Sequence, residues 1–144
     1  MTLHIIKLCV GVETVDELAQ WQSGRIRDQK KRGVKKPELT HVTRMMPKRK
    51  DEILDGGSLY WVIKGQIAVR QKLLDIRAVT KHGRPACGLV YDPKLVPVQR
   101  RSHRAFQGWR YFDPKDAPPD ARGTKGLDKL PQKLQAELVE LGLL

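Results

Sequence analysis

Three clusters of basic side chains have the residue types and the spacing to bind phosphate groups, because lysine and arginine are phosphate ligands. The clusters fall in residues 25–36, 44–50 and 100–110. Arginine adds a planar guanidinium fork that can grip two oxygens or stack on a nucleic-acid base. Each cluster alone is typical of a solvated face, but three of them in one short chain predict a surface that binds a polyanion.

The net charge of +12 is regional rather than diffuse. Residues 25–110 hold 22 basic and seven acidic side chains, whereas both flanking segments carry a small negative charge. A local excess creates a positive field that attracts a polyanion, and binding that releases counterions weakens as salt rises. The alternative is a solvated basic surface that has no specific partner.

Aromatic residues are interleaved with the last basic cluster, in residues 106–112. If this segment is extended, its side chains alternate between two faces, and Trp109 and Tyr111 share one of them. A ring left exposed there could stack on a base, which is worth about 1–3 kcal/mol per base. The alternative is that these rings belong to the core, since the chain has only eight aromatic residues.

The sequence offers little for catalysis or for metal binding. Its four histidines are scattered, and Cys9 and Cys87 have no zinc-site spacing, so both cysteines are expected to be core thiols. His103 lies among arginines and is the best acid–base candidate, with His41 as a second. We expect no metal and no cofactor, and the sequence leaves open whether any reaction is catalysed.

Periodicity and capping residues predict the N-terminal elements that position the basic residues. Residues 3–10 are rich in branched apolar side chains and predict a buried strand. Thr14 and Glu17 have the spacing of a capping box, so a helix is predicted from there to Gly33, with basic residues in its last turns.

The middle of the chain predicts most of a sheet. Strands are expected over 39–46 and 58–64, and Gly65 turns the chain into a further strand whose alternation changes phase at a bulge near Leu73. Residues 86–91 and 95–99 could add further strands.

Near the C-terminus, four leucines form a stripe at helical spacing and predict an amphipathic helix; they are Leu130, Leu134, Leu138 and Leu141. The sequence therefore predicts one α+β domain over residues 1–144. Its core would be a mixed, curved sheet or small pseudobarrel, flanked by an N-terminal and a C-terminal helix.

The first residues do not resemble a signal peptide, because their apolar run is short and contains His4 and Lys7. No apolar segment approaches the length that spans a bilayer. We therefore expect a cytoplasmic protein that does not contact a membrane, and the sequence does not indicate its oligomeric state.

Four stretches together resemble a family of short proteins of unknown function common in alphaproteobacteria. They are the opening Leu-His-Ile-Ile-Lys-Leu-Cys-Val-Gly and the segments 60–65, 106–111 and 140–144. This resemblance spans the chain and implies no activity. Residues 60–70, a strand followed by glycine and a basic strand, also resemble PUA-like folds such as the ASCH and EVE domains, which implies RNA binding without choosing a site.

The function that these observations favour is RNA binding through a basic surface, with RNA favoured over DNA because no DNA-reading motif is present. Phosphate contacts are predicted for Arg25, Lys30, Lys31, Arg32, Lys48, Arg49, Arg100, Arg101 and Arg104. Base contacts are predicted for Trp109, Arg110 and Tyr111. The alternatives are an enzyme acting on nucleic acid or nucleotides, and an interaction module for an acidic protein partner that docks on the leucine stripe.

Overall fold

The computed structural model describes residues 2–104 and 106–121, which form a mixed sheet with helices packed against it. The elements in chain order are β1 (His4–Leu8), α1 (Val15–Lys31), β2 (Leu39–Thr43), α2 (Lys50–Leu54), β3 (Ser58–Ile63), β4 (Gln66–Lys81), β5 (Arg84–Tyr91), β6 (Val96–Ser102) and β7 (Trp109–Phe112). A 3-10 turn at Pro114–Asp116 follows β7.

The sheet has the strand order β2-β5-β4-β3-β1-β7, and β6 pairs separately with β4. β1 and β3 are parallel, and the other neighbours are antiparallel. Parallel strands need a crossover connection. Here the crossover connection between β1 and β3 consists of α1, β2 and α2.

β4 is the central strand, and it changes partners along its length. Its first half pairs with β3 and β6, and its second half pairs with β5. The β4–β5 register shifts between Leu73 and Asp75. The bulge predicted near Leu73 is therefore confirmed, and it stands where β4 passes from one group of neighbours to the other.

The predicted N-terminal helix is confirmed as α1. Its cap, Thr14, accepts a hydrogen bond from the Glu17 amide at 3.1 Å, as a capping box requires. The Glu17 carboxylate reaches back one residue further than expected and accepts from the amide of Glu13 at 3.2 Å. The helix ends just before Gly33, whose φ of 85° is the left-handed conformation that glycine adopts readily.

The sheet has an apolar layer on each face. Alternation along β1 points Ile5 to one face and Ile6 to the other. The layer around Ile5 includes buried residues of α1 and α2, among them Leu18 and Ile53. The layer around Ile6 is smaller and includes Phe112.

The predicted fold class is wrong in one respect. The sheet is mixed as expected, but strands dominate the described residues, and α1 is the one helix there longer than two turns. The fold is therefore not an α+β arrangement flanked by two terminal helices. Strand pairing joins residues far apart in sequence, so periodicity underestimated the sheet; β4 alone runs for 16 residues. The predicted C-terminal helix lies outside the described residues, and no described helix could span a bilayer.

A buried amide network ties α1 to the sheet. Gln71, on β4, is fully buried. Its side chain exchanges two hydrogen bonds with Gln22 on α1, at 2.7 and 2.8 Å. Its oxygen also accepts from the indole of Trp61 at 2.9 Å, and its nitrogen donates to the carbonyl of Asp92 at 3.0 Å. All the amide's polar atoms are thus satisfied away from water.

Replacing Gln71 by leucine should lower the free energy of unfolding by about 2–4 kcal/mol, because buried groups of Gln22 and Trp61 lose their partner. Urea unfolding at neutral pH measures the loss. The matched control is Gln99→Leu, since Gln99 is an exposed strand glutamine and should change stability by less than about 0.5 kcal/mol. Equal effects of the two substitutions would contradict a structural role for the network.

Candidate nucleic-acid interface

Basic side chains from three other elements act electrostatically on His41 of β2. Burial, and then the positive charges of Lys7, Lys81 and Arg25, lower the pKa of His41 to about 4. The imidazole is therefore neutral at physiological pH. We call these four residues, contributed by β1, β4, α1 and β2, the cationic cluster.

Lys7 is the cation of this cluster that is most withdrawn from water. Burial lowers its pKa, and the group that acts in the opposite direction is the thiol of Cys9, not a carboxylate. Burial raises the pKa of Cys9 to about 11, so that thiol is protonated at neutral pH. Among the described residues no acidic side chain forms an ion pair with Lys7. An ammonium that is half-buried, with no counter-charge in the described part of the chain, favours binding of an external anion.

Trp109 extends this surface onto β7. It stands opposite Lys7 in the β1–β7 register, so both side chains lie on the same face of the sheet. Its indole N–H donates to the carbonyl of Met45 at 2.9 Å, and its ring meets that of Tyr111 edge to face with centroids 4.9 Å apart. The polar edge of Trp109 is therefore engaged in holding the segment after β2.

Tyr111 holds the start of α2 in the same way. Its hydroxyl accepts from the amides of Lys48 and Arg49, at 2.9 and 3.2 Å. The guanidinium of Arg49 lies 5.6 Å from the ring centroid and forms an ion pair with Glu52. Lys48 is exposed, and no described acidic residue forms an ion pair with it. The ring of Tyr111 is 37% exposed.

These contacts connect into one strip, from α1 through His41 and Lys7 to β7 and the start of α2. We call this strip the basic track, and it comprises Arg25, His41, Lys81, Lys7, Trp109, Tyr111, Lys48 and Arg49. The structure thus brings together five of the predicted site residues, namely Arg25, Lys48, Arg49, Trp109 and Tyr111.

Helix α1 carries the positive charge beyond the track. Arg32 follows Arg25 by two helical turns on the same side of the helix and is exposed. Lys30 and Lys31 are exposed in the last turn, where they complement the negative end of the helix dipole. No described carboxylate forms an ion pair with any of the four.

Arg110 and the β6 arginines lie apart from the track. Arg110 points to the opposite face of β7 from Trp109, with its guanidinium 5.1 Å from the ring of Phe106. Arg101 donates to the carbonyl of Asp116 at 2.7 Å. Burial lowers the pKa of Arg100, and Arg104 is exposed. Among the described residues no side-chain hydrogen bond, ion pair or ring contact joins these arginines to the track, although Arg110 lies between Trp109 and Tyr111 in β7.

The two histidines considered for acid–base chemistry have different surroundings. His41 meets Trp61 edge to face, with centroids 5.7 Å apart. His103 packs its ring edge against Phe106, and its Nδ1 lies 2.9 Å from the carbonyl oxygen of Arg104. Across residues 2–104 and 106–121 no three metal-binding side chains lie together.

A family model described as "Protein of unknown function (DUF1489)" matches residues 5–144. The chain belongs to this family. The predicted membership of a family of unknown function is thereby confirmed. No curated protein and no solved structure matches the chain significantly. The function of this DUF1489 protein must therefore be argued from its own side chains.

Lys7 and Lys81 of the cationic cluster were absent from the predicted site residues, and His41 was considered only for acid–base chemistry. Lys7 had a detectable signal, because it interrupts an otherwise apolar strand. The charge of Lys81 acts on His41 only in the folded chain, and periodicity does not reveal such long-range effects. Trp21 was also missed; it is 47% exposed on α1, and the guanidinium of Arg25 lies 4.9 Å from its ring centroid.

Replacing Lys7 by methionine should raise the pKa of His41, because one of the like charges that lower it is removed. The rise should be partial, since burial is the larger cause. NMR titration of the imidazole signals measures the change. Lys64→Met is the matched control, because Lys64 lies in the β3–β4 turn and does not contribute to that pKa. An unchanged His41 pKa in Lys7→Met would show that the cluster is not electrostatically connected.

Proposed function

We propose that this protein binds RNA, with the phosphate backbone lying along the basic track. The observation that carries the proposal is the cationic cluster, in which the charges of three cations act on one imidazole and no described carboxylate offsets them. Gathering like charges is unfavourable in the free protein, and a bound polyanion removes that repulsion. A merely solvated basic face would instead keep its charges apart or paired.

Phosphate contacts are proposed first for the residues of the track and of the exposed end of α1. They are Lys7, Arg25, Lys30, Lys31, Arg32, Lys48, Arg49 and Lys81. Arg100, Arg101, Arg104 and Arg110 remain predicted contacts, and they would require the RNA to reach a second surface.

Unpaired RNA suits the track better than a duplex does, because exposed aromatic rings bind bases that have left a helical stack. Trp21 has the more exposed ring and lies against Arg25, so we propose it as a stacking residue beside the predicted Trp109 and Tyr111. The resemblance to PUA-like domains remains a prediction, and it also favours RNA. The RNA-binding proposal rests on the basic track and does not use that resemblance or an alphaproteobacterial origin.

The protein should bind a fluorescein-labelled oligouridylate with an affinity that falls as salt rises. Arg25→Gln and Lys7→Met should each weaken binding about 3- to 10-fold at low salt, because each removes a cation from the track. Each should also reduce the slope of log K against log salt by about 0.7 for every phosphate that the variant no longer neutralises. Fluorescence anisotropy at several salt concentrations measures both quantities.

The control for this titration is Lys94→Gln, because Lys94 is exposed in the loop after β5 and lies outside the track. It should leave both affinity and slope nearly unchanged. Polyglutamate of matched charge serves as a competitor, and equal competition would favour an acidic protein partner. Absence of RNA binding at low salt would contradict the proposal.

Trp21→Leu should weaken binding of single-stranded RNA by about 1–3 kcal/mol, which is the usual loss per stacked base. Trp21→Phe should retain most of the affinity, because it keeps an aromatic face. Binding of duplex RNA should be much less sensitive to Trp21→Leu. If single-stranded and duplex RNA lose equal affinity, the role of Trp21 is not stacking, although the phosphate contacts would stand.

A further inference from the structure

A polar cleft of about 360 Å³ opens on the face of the sheet opposite the basic track. Register places His4 with Tyr60 on this face, whereas Lys7 and Trp109 lie on the other. Ser58 and Arg70 complete the strand side of the cleft, and its outer wall is the segment 114–120. Ser58 and Tyr60, which line the cleft from the sheet, are buried.

The guanidinium of Arg70 is held rigidly at this cleft. Its Nε and Nη2 donate to the two carboxylate oxygens of Asp120, both at 2.8 Å, and its Nη1 donates to the hydroxyl of Ser58 at 3.0 Å. These contacts fix the guanidinium plane and use three of its five N–H groups. The remaining two are oriented before any ligand arrives.

His4 supplies a second oriented donor. The amide of Ser58 donates to its Nδ1 at 2.9 Å, so the neutral ring carries its proton on Nε2. Burial and the charge of Arg70 lower the pKa of His4, while Asp113 acts weakly in the opposite direction. The ring is therefore a neutral N–H donor at physiological pH.

Hydroxyl groups supply the other donors. The ring of Tyr60 is fixed edge to face between His4 and Phe112, with centroids 5.0 and 5.3 Å away. Burial raises the pKa of Tyr60, so its hydroxyl keeps its proton. The Ser58 oxygen accepts from Arg70, which leaves its own hydrogen free to be donated elsewhere.

We propose that this cleft binds a phosphomonoester, with Arg70, His4, Tyr60 and Ser58 donating to its terminal oxygens. A phosphomonoester presents three terminal oxygens, which match several converging donors better than the two oxygens of a carboxylate do. Asp120 balances the charge of Arg70, so recognition depends on hydrogen bonds and differs from the charge-driven binding proposed for the basic track. The volume exceeds that of a phosphate alone and leaves room for part of an organic group.

This inference goes beyond RNA binding along the track and does not depend on it. The phosphomonoester has two conceivable sources, a small phosphorylated metabolite or the 5′-phosphate of an RNA end. The four probes are inorganic phosphate, a nucleoside 5′-monophosphate, and a short oligoribonucleotide with either a 5′-phosphate or a 5′-hydroxyl.

The experiment follows the His4 ring and the Ser58 amide by NMR while each probe is added to the full chain. Millimolar inorganic phosphate or the monophosphate should shift both signals, with saturation, and equimolar acetate should not. A stronger response to the 5′-phosphorylated than to the 5′-hydroxyl oligonucleotide identifies an RNA end, and a response to the monophosphate alone identifies a metabolite. Unshifted His4 and Ser58 signals with all phosphate probes, or equal shifts with acetate, would overturn the proposal.

Tyr60→Phe tests the donor role with a minimal change, since it removes one hydroxyl and keeps the ring. It should weaken phosphate binding about 10- to 150-fold, as expected for one hydrogen bond to an anion. Tyr91→Phe is the matched control, because it removes the same group from the core layer of the opposite face, outside both proposed sites, and it should leave phosphate binding at His4 unchanged. Equal affinities of the two variants for phosphate would show that Tyr60 does not contribute to the site. If Tyr60→Phe folds poorly, the titration of the unsubstituted chain still decides the proposal.

The two sites can be distinguished in the same spectra. His41 reports on the basic track, whereas His4 and Ser58 report on the cleft. Loss of RNA binding in Lys7→Met with an unchanged His4 response to phosphate would separate the functions, and shifts confined to His41 would show that phosphate binds only at the track.

Discussion

The reciprocal amide pair between Gln22 and Gln71 is the interaction on which the position of α1 depends. Two amides that each donate and accept fix both the separation and the rotation of the helix, whereas apolar packing tolerates small shifts. Gln71 sits two residues before the bulge at Leu73, where β4 passes between its groups of neighbours. The network therefore clamps α1 close to this register shift, and this sets where Trp21 and Arg25 stand relative to His41.

The cationic cluster works against stability. Burial disfavours the charged forms of Lys7 and His41, and for His41 the positive charges of Lys7, Lys81 and Arg25 act in the same direction. For His41 the folded pKa of about 4 lies below the usual 6.5, so the unfolded chain takes up the proton first as pH falls. Stability contributed by the neutral ring is thus present above about pH 6.5 and is lost as pH falls towards 4. A site that costs stability in the free protein suits a surface that has been selected for binding.

Local signals predicted the parts of the fold that local interactions determine. Thr14, Gly33 and the phase change near Leu73 each act within a few residues, and the structure places α1 and the bulge accordingly. Fold class failed because the sheet is assembled by pairings such as β1 with β3, which join residues more than 50 positions apart. The candidate sites divide in the same way. Clustered arginines were visible in the sequence, but neither the effect of Lys81 on the pKa of His41 nor the ion pair of Arg70 with Asp120 follows from spacing.

β1 connects the two proposed sites, because consecutive residues of a strand point to opposite faces. His4 serves the cleft and Lys7 serves the track, and an odd spacing between them is what puts them on different faces. The register that achieves this is fixed at both ends of the strand, where Leu3 donates to the carbonyl of Glu52 and Cys9 donates to that of Val62. A slip of one residue would exchange the faces of both side chains at once. The polar residues in this apolar strand are therefore placed by the same strand pairing that builds the core. A shift of β1 that disrupts one proposed site also disrupts the other.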